Sequence, residues 1–424
     1  MVSASSYHFN TPYFSHFLCT LFVGWHTFAN VAAQSPSASA SATSASFTSD
    51  PEATLTADET KELFDFHKKL VKIPSTTFEE AEAIQFVFDY ISDLGYYVEK
   101  VDVDGSRYDV FAYPQAIKDE GTWPEVLITS HLDTVPPYIP FERREENGTI
   151  YHFGRGSVDA KGAVAPQIVA AHKFLQARTD TPSLGLLFVV GEETGGDGMK
   201  AFAKYAENVT FSAAIFGEPT ESKLATGHKG SLGLTLNITG KAAHSAYEWL
   251  GVNAIDFLAE GITALNAVES VLPTSELLGN STINVGRVSG GVASNVVPAN
   301  ANASVSIRVA QNITSAPDDI SALIEEALAP LVRRAEHAGA IFNVTFAAGA
   351  RPAIVLDTDI PGFEIGPVFY GTDIPSLPQV KKKYLYGPAS IKVAHGPDEE
   401  LTQDELVLAA EAYGTILAHI FPPS

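Results

Sequence analysis

The alternation of short apolar runs with a helix-length segment between them limits the fold of this chain more than any other feature. VLITSHLD, beginning at Val126, and LGLLFVVGEE, beginning at Leu184, are apolar nearly throughout and end in charged residues. Runs of that length read as strands buried on both faces, and KGAVAPQIVAAHKFLQA, which lies between them, has the size of a crossover helix. Strand, helix and strand in that order build a largely parallel sheet. Its carboxyl edge then collects the polar side chains that close the strands.

Upstream, ETKELFDFHKKLVKI and EEAEAIQFVFDYISDLG repeat apolar residues at helical spacing, so the ordered chain is expected to start near Leu55. From about Gly230 the pattern changes. SLGLTLNITG reads as a strand, VNAIDFLAEGITALNAVE as a helix, STINVGRVSGG and VVPANANASVSIRV as strands, DDISALIEEALAPLVRRAEHAG as a helix and AIFNVTFA as a strand. The order β-α-β-β-α-β is that of a ferredoxin-like unit. The tail from Leu356 returns to α/β character and ends on the helix DELVLAAEAYGTILAHI. The expected architecture is an α/β domain with a mostly parallel sheet, residues 55–229 and 348–424, interrupted by an α+β domain over residues 230–347.

Fifty acidic residues against 27 basic ones leave a formal charge of -23, a field that repels phosphate backbones and anionic lipid. Neither nucleic acid nor stable membrane association is expected. Thr11 to Ala33 is apolar and uncharged and closes on Val31, Ala32 and Ala33, which reads as a secretory signal over residues 1–33. A buried N-terminal helix or an uncleaved anchor is the other reading of that stretch. Removal of the signal would take with it Cys19, the single cysteine, which excludes disulfide scaffolds, cysteine nucleophiles and thiolate zinc sites. Residues 34–54, rich in Ser, Ala and Thr, read as a flexible leader. Seven N-x-Ser/Thr sequons, at Asn147, Asn208, Asn237, Asn280, Asn302, Asn312 and Asn343, add to the expectation of a secreted, extracellular glycoprotein.

Five polar segments carry acids or histidines: SHLDTVP (130–136), GRGSVDAKG (154–162), GEETGGDGM (191–199), FGEPT (216–220) and AHGPDE (394–399). On a strand, His131 and Asp133 would share a face, and the Asp133 carboxylate could accept one imidazole N–H and fix the tautomer a metal needs. A surface histidine beside a capping aspartate is the plainer alternative. Asp159 stands just before a helix and could merely cap it. Glu192 and Glu193, at the end of a buried strand, would point to opposite sides and need cations or separate tasks, unless they form a solvated turn. Glu218 and His395 carry little signal alone. Together, imidazoles and carboxylates without sulfur suit zinc or a similar divalent ion, and two histidines with three or more acids suffice for two ions. No G-x-S-x-G or HExxH string occurs, which removes two other hydrolase readings.

The ordered set His-x-Asp-x-Val-Pro, Gly-Arg-Gly-x-x-Asp-x-Lys-Gly, Glu-Glu-x-Gly-Gly, Gly-Glu-Pro and a late His-Gly-Pro resembles the M20 metallopeptidases, from about residue 60 to the C-terminus. That family includes aminoacylases, acetylornithine and succinyl-diaminopimelate deacylases and glutamate carboxypeptidases. The resemblance implies a zinc-exopeptidase-like α/β domain with an inserted dimerisation or lid domain, and two Zn2+ per subunit bridged by Asp159. It implies His131 and Glu218 as the remaining ligands of one ion, and Glu193 and His395 as those of the other. Asp133 would orient His131, and Glu192 would act as general base on a metal-bridging water. In the insert, His244 resembles a histidine supplied to the partner's site, its plainer reading being a histidine that simply ends a strand, and Asn295 matches a substrate-contacting position. Arg308 would clamp a substrate carboxylate; a buried ion pair is its other reading, and Ser306 stands where relatives carry an acid. The expected activity is a secreted carboxypeptidase-type hydrolase acting on small peptides, with a homodimer formed through the insert. An N-acyl-amino-acid amidohydrolase and a non-catalytic zinc-binding protein are the alternatives.

Overall fold

The computed structural model describes residues 51–422; the expected signal segment, Cys19 and most of the leader lie outside the described residues. Along the chain, helices α1 (Ala57–Lys72) and α2 (Ala81–Asp93) precede strands β1 (Tyr96–Asp102), β2 (Tyr108–Pro114) and β3 (Val126–His131). Helix α3 (Lys161–Gln176) leads to β4 (Leu184–Val189), and α4 (Asp197–Tyr205) to β5 (Phe211–Gly217). There follow β6 (Gly230–Thr239), α5 (Ala254–Glu269), β7 (Thr282–Gly290), β8 (Asn300–Val309), α6 (Ala316–His337) and β9 (Ile341–Phe346). Strand β10 (Val380–Tyr386) and helix α7 (Gln403–Ile420) close the chain. Helices α1 and α7 both start at capping boxes, Thr56 with Glu59 and Thr402 with Glu405, which satisfy the first free N–H groups.

The main sheet has the order β1-β2-β4-β3-β5-β10. Strands β4, β3, β5 and β10 run parallel, as the crossover pattern requires. The β1 and β2 edge is antiparallel, so the sheet is mixed. The connection at 103–107 is too short for a crossover and admits only a hairpin. Every residue of β3 and β4 is buried. Val126, Ile128, Leu186 and Phe188 face a core built with α1, α3 and α7, while Leu127, Leu187 and Val189 face a second core with Met199 and Phe202 of α4. A strand covered on both faces reads as an unbroken apolar run, which is the pattern seen in the sequence.

The insert is a four-stranded antiparallel sheet of order β7-β8-β6-β9. Leu232, Leu234, Leu236 and Ile238 of β6 pack on Leu258 and Leu265 of α5 and Ile320 and Ile324 of α6. The alternate residues of β6 face away from the helices and are less buried. The chain enters and leaves the insert side by side, for Ser231 and Arg351 exchange backbone hydrogen bonds of 3.0 and 2.8 Å. A side chain at Gly230 would collide with the Arg351 carbonyl, so this crossing demands glycine. Among the described residues no helix is long and apolar enough to cross a membrane.

Candidate metal centre

The parallel strands deliver the polar residues to one edge. His131 is the last residue of β3 and Glu218 follows the last residue of β5. Glu192 and Glu193 occupy a single 3-10 turn, Glu192–Thr194, after β4. Asp159 lies just before α3, and His395 lies in the loop between β10 and α7. Since β4, β3, β5 and β10 are neighbours in that order, their carboxyl ends bring together residues distant in sequence.

Asp159 stands between the two histidines. Its Oδ1 lies 3.0 Å from His131 Nε2, and its Oδ2 lies 3.2 Å from His395 Nε2. His131 Nε2 is also 3.6 Å from Glu218 Oε1, and His395 Nε2 is 3.1 Å from Oε1 and Oε2 of Glu193. Two triads result, His131–Asp159–Glu218 and Asp159–Glu193–His395, each with ligand-type atoms within 4.8 Å of one another. One carboxylate belongs to both triads and turns a separate oxygen toward each histidine. Asp159 does not cap α3, whose N-cap is Ala160 without a side-chain hydrogen bond.

Two local expectations need correction. Because β3 ends at His131, Asp133 does not share a strand face with it. His131 Nδ1 lies 3.0 Å from the Asp133 carbonyl oxygen and 3.5 Å from its Oδ1, so the main chain of Asp133 faces the ring nitrogen together with its carboxylate. The Asp133 carboxylate accepts the N–H groups of Glu192 at 3.1 Å and Glu193 at 3.2 Å, and the Thr77 hydroxyl at 2.8 Å. It fastens the glutamate turn to the end of β3. The glutamate pair, in turn, does not diverge from a strand. Successive residues of a 3-10 turn are about 120° apart, which lets Glu193 join the His395 triad while Glu192 stands beside it. The turn is tightened by Gly196, at φ 74°, where a Cβ would collide with Asp373.

The electrostatics follow from crowding acids in a buried place. Burial, reinforced by the Glu218 charge, raises Glu192 well above the usual carboxylate range. Burial also raises Glu218 to about 7, against the favourable charge of His131. At Asp159, burial is outweighed by hydrogen bonds from His131 and His395, and the pKa falls below the usual range. Burial opposes charge on His131, but the Glu218 charge and the bonds to Asp133 and Asp159 prevail and raise it well above normal. Hydrogen bonds to Asp159 and Glu193 raise half-exposed His395 to about 10. Protons on the imidazoles are thus counter-charge for the acids, and divalent cations at the same atoms would supply more of it. The donor set of two imidazoles and three carboxylates fits such ions.

The cluster opens into a cavity of about 620 Å³, also lined by Lys200, Arg308, Arg351 and Tyr370. Arg308 thus lines the cavity into which the cluster opens. His244 and Asn295 do not reach it within one chain. Both are exposed on the insert, where His244 Nδ1 accepts the Ala246 N–H at 3.1 Å and the Asn295 carbonyl accepts the Ser245 N–H at 3.0 Å. A larger cavity of about 840 Å³ lies beside them, around Trp249 and Val292, but no imidazole lines it, so size does not locate the chemistry. Of the sequon asparagines all are exposed except half-buried Asn302, and Asn302, Asn237 and Asn343 stand opposite one another across β8, β6 and β9. Sequence reasoning missed the segment Tyr370-Gly-Thr-Asp373, whose Tyr370 hydroxyl donates to the Pro219 carbonyl at 3.0 Å and whose Thr372 hydroxyl meets His228 Nε2 at 3.0 Å. A compact polar string following an apolar Val368-Phe369 was the available signal.

Residues 226–336 match the family described as the peptidase dimerisation domain. A probable carboxypeptidase of Aspergillus clavatus is 42% identical over 376 residues, spanning 84% of this chain and 88% of that protein. The M20 family metallo-carboxypeptidase Sso-CP2 from Sulfolobus solfataricus has a similar structure, with a TM-score of 0.66 at 17% identity, covering 85% of this chain and 99% of that one. So has the YXEP protein of Bacillus subtilis, a dinuclear metal binding peptidase of the M20 family, with a TM-score of 0.61 at 15% identity over 86% of this chain and 99% of that one. The likeness to probable carboxypeptidases over most of the chain makes this a peptidase or amidohydrolase. The chain belongs to the M20 peptidase family, a membership carried by the 42% identity across most of its length.

Proposed function

We propose that the protein is an exported, zinc-dependent carboxypeptidase acting on small peptides. The observation that carries the reading is Asp159, whose two oxygens face two histidines from opposite parts of the chain, each backed by a further glutamate. His131, Asp159 and Glu218 would hold one zinc ion, and Asp159, Glu193 and His395 the other, with positions left for water and substrate. Bound zinc would lower the pKa of water from 15.7 to about 7 and polarise the scissile carbonyl. Glu192 would take the proton of the attacking water and return it to the leaving amine. Burial beside Glu218 raises its affinity for a proton, and the charge of bound ions would bring it back toward the range in which it can accept one. Arg308, in the same cavity, would hold the free α-carboxylate by its fork of donors.

A homodimer through the insert is part of the reading, and the match to a dimerisation domain supports it. In that assembly His244 and Asn295, exposed and remote from their own cluster, would serve the partner's site. Export is supported by the apolar, uncharged N-terminal stretch and by exposed sequon asparagines. The test is a protein made through a eukaryotic secretory pathway, analysed for metal and assayed on C-terminally varied dipeptides, their amides and N-acetyl amino acids. Two zinc ions per chain and hydrolysis that requires a free C-terminal carboxylate are expected. Faster turnover of N-acetyl amino acids than of dipeptides would assign an amidohydrolase instead.

A further inference from the structure

The two triads share Asp159, and their other ligands differ in what supports them. His131 ends β3 and Glu218 directly follows β5, so both rest on the central sheet. Asp159 and His395 lie on loops separated by most of the C-terminal half of the chain. His395, moreover, has φ 62°, a left-handed conformation unfavourable for a residue with a side chain. Something must hold these loops at the spacing of 3.2 Å that separates Asp159 Oδ2 from His395 Nε2.

Arg155 and Glu399 are placed to do so. Glu399 is fully buried, and its Oε1 accepts the N–H groups of Gly156 at 2.9 Å and of Val158 and Asp159 at 3.1 Å. Its Oε2 accepts Arg155 Nη1 at 2.6 Å. The same guanidinium donates to the carbonyl oxygens of His395 and Gly396, each at 3.2 Å. One carboxylate thus gathers the turn bearing Asp159, and one guanidinium ties that turn to the backbone of His395. A buried ion pair is an inefficient way to add stability, because desolvation offsets most of the attraction. Its fixed geometry is what an apolar pair could not reproduce. We propose that Arg155 and Glu399 are positioning residues that hold the His395 loop against Asp159 and so set the site Asp159–Glu193–His395, whereas the site His131–Asp159–Glu218 draws on them only through the turn of Asp159.

The inference rests on the two-ion reading, and one experiment separates the two. Metal-free full-length protein is titrated with Zn2+ by calorimetry and with Co2+ by visible absorption, alongside Glu399→Gln, Arg155→Met and Arg155→Lys. In Glu399→Gln the amide oxygen can still accept the three N–H groups, while its NH2 faces and releases the guanidinium. Two binding steps are expected in the unaltered protein. In Glu399→Gln and Arg155→Met one of the two steps should weaken roughly 10- to 100-fold, the usual effect of losing a partner behind a metal ligand, with the other changed much less. Arg155→Lys, which keeps the charge but not the fork, should fall between. Equal weakening of both steps, or no weakening of either, would overturn the assignment. Should Arg155→Met or Glu399→Gln fail to fold, Arg155→Lys decides, and wild-type affinity in it counts against the clamp. A single step in the unaltered protein would remove the two-ion reading and the clamp with it.

Discussion

Glu192 and Glu193 are chemically identical and adjacent, yet the turn that carries them gives only Glu193 to a triad. Replacing Glu192 by Gln preserves shape and metal ligands while removing the proton acceptor. Turnover should fall by about 10² to 10⁴, the usual contribution of a positioned acid or base, with both ions retained. Steady-state kinetics and metal analysis on one preparation check this, and activity within a few-fold of the unaltered enzyme would refute the base assignment. Asp159→Ala should lose metal, because both triads lose their shared ligand and the remaining acids repel one another. Normal zinc content in that variant would contradict bridging. The ligand residues were legible because each closes an apolar run or sits in a short polar string. The bonds of Asp133 to the glutamate turn, and of Glu399 to the Asp159 turn, were not legible, since an acid accepting main-chain N–H groups leaves no pattern in sequence.

At the scale of elements, α1 is pinned to the strand Thr149–Phe153 by a buried histidine pair, His67 Nδ1 lying 2.9 Å from His152 Nδ1. Burial lowers His152 to about 4, and burial with the neighbouring ring lowers His67 well below its ordinary value. Both are neutral when folded, whereas the unfolded chain takes up protons below about pH 6.5. Their contribution is therefore present above that value and is lost as pH falls toward 4. The melting temperature should drop across this window, and drop less steeply in His152→Gln; equal slopes would show that the pair does not set the acid response. Element types were readable from periodicity. The antiparallel edge of the main sheet was not, because the brevity of 103–107, rather than the apolar pattern of β1 and β2, forbids the crossover.

At the scale of the molecule, the proposed completion of each site by the partner's His244 predicts complementation. His244→Ala and Glu192→Gln should each be nearly inactive alone. After mixing and subunit exchange, heterodimers contain one site with intact Glu192 and an intact partner histidine, so about a quarter of all sites should recover. Sedimentation should show a dimer throughout. No recovery in a mixture proven to exchange would show that His244 does not act across the interface.

By itself the sequence determined the two central strands with the helix between them, the ferredoxin-like order of the insert within an α/β domain, and which acids and histidines close the apolar runs. These are local properties, written in periodicity and in the residues at the ends of runs. Only the tertiary structure decided that Asp159 serves two histidines at once, that His244 stands apart from the cluster in its own chain, and that Arg155 joins Glu399 to the loop of His395. Those facts depend on strand order and loop approach, which arise when separate parts of the chain compete to bury their apolar faces against one another.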